Sequence, residues 1–180
     1  VYSQEGEDLL LSRIFDHQHK GFYVDCGAHH PFRFSNTKLL YDKGWRGINI
    51  EPNPEVSDLF KRYRPNDMYC GVGVSEQKGT IPYYVYGHPA LNTFDEAMVK
   101  SRSEKPIKQL LIETTPLAEL LNQNLPPNTS IDLLTIDVEG FDLKVLKSND
   151  CAKYPPNFIF VESNETTLEV VLISDFNKYL

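Results

Sequence analysis

Cysteine is scarce in this chain: Cys26, Cys70 and Cys151 are the only three among 180 residues. Three thiols cannot all pair internally, and two of them sit in apolar, strand-like contexts where a reduced buried thiol is the usual state, so no structural disulfide is expected. Also missing is any apolar run long enough to cross a bilayer, or a charged, apolar, small-residue succession of the secretory type. A cytoplasmic location without membrane association is therefore expected. Basic excess is absent as well: 18 Lys and Arg face 25 Asp and Glu, a net charge of −7, which argues against a nucleic-acid partner. The one basic cluster, Lys61-Arg62-Tyr63-Arg64, reads as the solvated end of an amphipathic helix beginning near Pro54. Metal-site spacing is lacking too. Cys26 and His29 have no second ligand pair, and the acids Asp137, Glu139 and Asp142 are accounted for by an acid-rich helix start, so no metal is expected.

What remains is an ordinary globular composition, 41% apolar and 24% charged, without repeats or low-complexity tracts. It is enough for one domain with a real core, spanning 1–180. Phe22-Tyr23-Val24 is a short β-rich run that places Asp25 at the carboxyl end of a buried strand, before a turn at Gly27. A helix follows, from a cap at Ser35 through Leu39-Leu40-Tyr41 to a stop at Gly44, and Gly47-Ile48-Asn49-Ile50 forms the next strand. This is a βαβ unit ending in Glu51, 26 positions after Asp25. An acid at that strand tip can accept hydrogen bonds from both hydroxyls of a ribose, so an adenosine derivative is the expected ligand.

Glycine is missing where a dinucleotide would need it. The turn Gly27-Ala28-His29-His30-Pro31-Phe32 has one glycine followed by bulky rings and a proline, whereas a pyrophosphate requires the close backbone approach of G-x-G-x-x-G. S-adenosyl-L-methionine carries no phosphate and suits this turn better.

Further along, Asp67 to Val74 reads as a third strand and Thr80 to Tyr86 as an extended segment. Ile131 to Asp137 and Phe158 to Glu162 read as buried strands. Thr115 is expected to cap a helix from Pro116, and Val138 to Lys147 to form another. The alternation predicts an α/β, Rossmann-like, doubly wound and mostly parallel sheet with helices on both faces. Residues 1–20 would form an N-terminal cap or helix and 80–114 an acceptor-side insertion. Within that insertion Tyr83, Tyr84, Tyr86, His88 and Phe94 are candidates for an aromatic wall, and Lys100 to Lys108 is compatible with either a lid or a helix. Val1 is not an initiator methionine, so a processed or trimmed chain is expected.

Several stretches resemble the FkbM-type methyltransferases, class I enzymes that use S-adenosylmethionine. They include Tyr2-Ser3-Gln4-Glu5-Gly6-Glu7-Asp8, Gly21 to Ala28, Ser35-Asn36-Thr37, Gly44 to Pro54 and Arg64-Pro65. Leu91-Asn92-Thr93-Phe94, Ile136 to Asp142 and Val161-Glu162 continue the match, in fitting order and spacing. The resemblance implies that Asp25, Gly27 and Ala28 hold the methionine part of the donor, Glu51 the ribose, and Val74 and Ser75 the adenine. Asn53 and Asp137 lie at strand tips where they would contribute, and Gln4 would fold over the cofactor. For chemistry, Asp137 is the leading candidate as base or substrate orienter, with Glu139, His29 and His30 beside it. The implied reaction is O-methylation of a small molecule, sugar or glycan. In the resembled family an antiparallel strand pair closes the sheet after Val161-Glu162; Thr167 to Tyr179 reads more like a helix, so a chain lacking that hairpin is expected. A nicotinamide-dependent oxidoreductase and a non-catalytic cofactor-binding module are the competing readings.

Overall fold

The computed structural model describes residues 1–162 and 174–179. Five strands form a parallel sheet in the order β3-β2-β1-β7-β8: β1 Phe22–Cys26, β2 Arg46–Ile50, β3 Met68–Cys70, β7 Ile131–Ile136 and β8 Pro156–Val161. The order reverses between β1 and β7, which pair from Tyr23↔Leu133 to Cys26↔Ile136. The carboxyl ends of those strands therefore flank the crevice where open α/β sheets take ligands. The expected Rossmann-like α/β architecture is the observed one.

Strand alternation explains why helices cover both faces. Val24, Cys26, Leu134 and Ile136 point to one side and pack on α5 (Leu117–Asn124) and α6 (Asp142–Lys147) through Leu117, Leu120, Leu121, Val145 and Leu146. Tyr23 and Leu133 point to the other side, where Leu11 of α1 (Glu7–Ile14), Leu40 of α2 (Lys38–Asp42) and Trp45 close a second core. The end of α2 follows the sequence expectation, with Gly44 at φ 102° stopping the helix, but its start does not: Thr37 occupies the N-cap position, and Ser35, two residues earlier, accepts the Lys38 N–H with its hydroxyl.

Other expectations change as well; Phe158, expected in a buried strand, is 48% exposed on β8, at the sheet edge among the described residues. Asp67 to Val74 is not one strand: β3 joins the main sheet, while β4 (Gly73–Val74) belongs to a three-stranded sheet of order β4-β6-β5. Gly73 permits this crossing because a Cβ there would sit 2.6 Å from the Phe94 ring and 2.9 Å from Thr114. The partners are β5 (Gly79–Val85) and β6 (Lys108–Thr115), an antiparallel pair, with α4 (Glu96–Ser101) between them. Asp95 caps α4, accepting the Ala97 and Met98 N–H groups. Thr115 does not cap α5. Its hydroxyl donates to Glu119, and the Ser148 hydroxyl takes the Leu117 N–H.

The helix expected from Val138 begins only at Asp142, because Glu139 (φ 52°) and Gly140 (φ 98°) are left-handed and Asp142 accepts the Val138 and Gly140 N–H groups. Finally, the basic cluster at the end of α3 (Ser57–Tyr63) is only partly solvated. Lys61 and Arg62 are exposed, but Arg64 is 1% exposed and fills a polar pocket beneath the first turn. The expectation about a closing hairpin and about Thr167 to Tyr179 falls mostly outside the described residues; Asp175–Tyr179 is helical.

Candidate active site

The first turn is wedged between two neighbouring strand tips. The Gly27 and Ala28 N–H groups both donate to the Ile50 carbonyl, at 3.0 and 3.1 Å, and the Asp137 N–H donates to the Cys26 carbonyl at 3.0 Å. Gly27 has φ 83°, and a Cβ there would meet the Asp137 carbonyl oxygen at 1.8 Å. Gly27→Ala would have to push β7 away from β1 as well as adopt a strained backbone. It is expected to cost about 3 kcal/mol or more by denaturant unfolding, whereas Gly→Ala at a compatible site stabilises by up to about 1 kcal/mol.

Beyond this turn lies a cleft open to solvent, lined by both polar and apolar residues. Gly27, His29, Ile50, Glu51, Val72 and Val74 line its floor; Tyr83, Pro89, Ala90, Asn92 and Phe94 from the β5–β6 segment form one wall. Gln4 and Glu5 cover it from the N-terminus, and Asp137, Glu139 and Glu162 form the far corner. Thus Gln4, Gly27, His29, Glu51, Val74, Asp137 and Glu139, all candidates from the sequence, line one cleft.

Other candidates lie outside the lining. Asp25 faces the opposite side of the sheet, accepting the Thr37 hydroxyl at 2.6 Å, and burial raises its pKa to about 6. Ala28 is packed with Val56 and Phe60. Asn53 caps a 3-10 turn by accepting the Glu55 N–H, and the Ser75 N–H donates to the Thr115 carbonyl in continuation of the β4–β6 ladder. His30 Nδ1 accepts the Phe32 and Arg33 N–H groups at 3.3 and 3.2 Å, a turn-forming role. Of the aromatic wall candidates, Tyr83 and Phe94 line the cleft with ring centroids 4.7 Å apart, while Tyr86 is buried behind them.

Glu51 is 5% exposed, with Oε2 accepting the His29 N–H at 2.9 Å and Oε1 the Asn53 N–H at 2.8 Å. Burial raises its pKa to about 7, opposed by those two N–H groups and by the Tyr83 hydroxyl. With three donors already on it, the carboxylate keeps one of its roughly four acceptor sites for a ligand, and a second is freed when the Tyr83 hydroxyl yields its place. His29 is left-handed (φ 53°) and stacks on Phe34 at 5.8 Å; its buried Nε2 has no partner among the described residues. Burial, helped by His30, Arg33 and His88, lowers its pKa to about 4. At neutral pH it is an uncharged hydrogen-bonding group and a weak base.

At the far corner single ligand oxygens of Asp137, Glu139 and Glu162 lie within 4.8 Å of one another, so these are the residues that could face a cation. Asp142, which sequence grouped with the first two, is turned away onto backbone N–H groups. Burial first, then the neighbouring Glu162, holds the Asp137 carboxyl well above the usual carboxylate range. Burial raises Glu139 too, while Arg102 Nη2, donating to its Oε2 at 2.5 Å, pulls it back. Sequence reasoning passed over Glu162 and Arg102. Glu162 directly follows β8, a tip position that could have been weighed like the others; nothing local marks Arg102.

The chain matches a family model described as the methyltransferase FkbM domain over residues 25–179. It is also 28% identical over 157 residues to the methyltransferase sdnD of Sordaria araneosa, a match covering 72% of this chain and 60% of that protein. The chain thus spans less than two thirds of that relative. No solved structure matches it with significance.

Proposed function

This chain belongs to the FkbM methyltransferase family, and from that premise we propose that it transfers the methyl group of S-adenosyl-L-methionine to an oxygen of a small molecule, sugar or glycan. The observation that carries the donor assignment is Glu51, buried at the β2 tip with both oxygens aimed by backbone N–H groups, beside a turn that lacks the second and third glycines a pyrophosphate calls for. Glu51 would hold the ribose, Gly27 would let the donor lie against the β1 turn, and Val74 would pack beside the base with Tyr83 closing over it. Ser75, Ala28 and Asn53 act by supporting that floor, and Asp25 by fixing Thr37 beneath it. The donor supplies an electrophilic methyl group, so the chain's own tasks are alignment, water exclusion and proton management.

Asp137 is the proposed acceptor of the hydroxyl proton, since burial and the neighbouring Glu162 raise its affinity for a proton and make its ionised form a stronger base than an ordinary carboxylate. His29 would donate to or accept from the bound acceptor as a neutral imidazole, and His30 would shape the turn. No helix among the described residues is long and apolar enough to span a membrane.

Calorimetric titration with S-adenosylhomocysteine, run beside NADH, tests the donor. Saturable binding of the homocysteine form without binding of NADH is expected. Binding of NADH in its place would return the chain to the oxidoreductase reading, and binding of neither would leave Glu51 without its proposed ligand.

A further inference from the structure

One wall of the cleft is built by the segment that joins β5 to β6 of the smaller sheet, and the structure shows where it is fastened. Three contacts converge on the β7 tip. Thr93 Oγ1 donates to the Glu139 carbonyl at 2.7 Å, and Arg102 Nη2 donates to Glu139 Oε2 at 2.5 Å. The third is Gly140, where a Cβ would meet Met98 Sδ at 2.5 Å and Asp95 Oδ2 at 3.0 Å, so the segment presses directly on the backbone. Arg102 reaches further: its Nη1 donates to the Leu91 carbonyl at 2.5 Å, and its guanidinium lies 5.5 Å from the centre of the Tyr86 ring. One planar group therefore spans from the acidic corner to the residue preceding Asn92, which lines the cleft.

We propose that Arg102 is a positioning residue of this site, holding the Glu139 carboxylate in the cleft and, through the same guanidinium, fixing the Leu91–Asn92 wall. The proposal rests on the reading of the cleft as a methyl-donor site. The ion pair is largely shielded, with the two side chains 18% and 26% exposed, so its loss is not masked by water. Without Arg102, Glu139 would face Asp137, Glu162 and Asp142 with its compensating cation gone, in a left-handed backbone that other contacts must sustain. Its carboxylate would take up a proton or leave the corner, and the wall would loosen with it.

The test compares wild type, Arg102→Met, Arg102→Lys, Glu139→Gln and the Met/Gln double variant. S-adenosylhomocysteine affinity is measured by calorimetry, amide exchange at Tyr84 and Thr93 in ligand-free protein, and Glu139 titration by carboxyl carbon-13 NMR. Tyr84 and Thr93 exchange two backbone hydrogen bonds, at 2.9 and 3.2 Å, and so report the wall directly. Arg102→Met is expected to weaken binding about tenfold, to speed exchange at both amides and to raise the Glu139 titration midpoint, in line with the loss of a charge-assisted hydrogen bond. Arg102→Lys should restore the Glu139 midpoint but only part of the affinity, because lysine cannot reach Leu91 and Glu139 with one rigid fork. The double variant should bind no worse than Arg102→Met alone, since both changes break the same contact. Multiplying losses, or an unchanged Glu139 midpoint in Arg102→Met, would overturn the proposal. Absence of homocysteine-form binding in the wild type would sink the donor reading alone, leaving exchange and titration to decide on Arg102.

Discussion

Glu51→Ala is expected to weaken S-adenosylhomocysteine binding by about 100-fold or more, the largest effect of any single change on ligand affinity. Two hydrogen bonds from ribose hydroxyls to a buried carboxylate are each worth about 1.5–3 kcal/mol, and alanine removes both. The same residue dictates an unusual pair of pH dependences. With a folded pKa of about 7 against an ordinary 4.5, the folded chain holds a proton on Glu51 that the unfolded chain has released. Its contribution to stability is thus fully present below the unfolded value, declines as pH rises from there to about 7, and is gone above that.

Ribose hydroxyls favour the ionised form, so ligand binding runs the other way. Affinity should rise about tenfold between pH 6 and 8, levelling above the folded pKa, as expected when only the ionised form binds. Glu51→Gln should remove most of that rise. Calorimetry across this range checks both; an affinity that is flat with pH in the wild type, or equally steep in Glu51→Gln, would show that another group governs binding.

Arg64→Met should be the most damaging substitution for stability. Arg64 Nε donates to Asp67 Oδ2 at 2.9 Å, Nη1 to the Pro31 carbonyl and Ser35 Oγ, and Nη2 to the Tyr23 and Thr37 hydroxyls. Asp67 in turn accepts the Gly47 N–H, the Asn49 side-chain amide and the Tyr23 hydroxyl. Removing the cation leaves Asp67, itself 1% exposed at the side chain, uncompensated inside the protein. Breaking a buried pair in this way costs about 3–5 kcal/mol. For a domain of this size that corresponds to a fall in Tm of about 6–20 °C, at roughly 2–4 °C per kcal/mol. A loss below 1 kcal/mol in denaturant unfolding would mean that Asp67 finds another partner or a proton at little cost. Because Pro31 and Ser35 bracket the segment after the first turn, the variant should also bind S-adenosylhomocysteine more weakly.

The difference between Glu51 and Arg64 shows what the amino-acid order reveals. Glu51 was legible because a strand tip is a local matter: a β-rich run, an acid, and 26 positions back another such pair around a single glycine. The cover on both faces and the end of α2 at Gly44 follow from similar short-range patterns, apolar alternation and backbone freedom. Arg64 looked solvated for the same reason, since it ends a charged run on a helix. Only the packing of Tyr23, Thr37 and Asp67, brought from three separate segments, turns it inward.

Tertiary structure alone decided the rest of the site. Asp25 occupies a strand tip yet faces away from the cleft, because the alternation that buries Val24 and Cys26 on one side sends it to the other. The separation of β3 from β4 depends on the space that Gly73 leaves for Phe94 and Thr114, a contact between residues about 20 and 40 positions apart. The meeting of Glu162 with Asp137, and of Arg102 with Glu139, likewise joins residues distant along the chain. Sequence by itself determined the kind of sheet and the strand tip that carries Glu51, because periodicity and turn chemistry act over a few residues. Which acids share a corner, and which cation restrains one of them, was settled by long-range packing that no local pattern encodes.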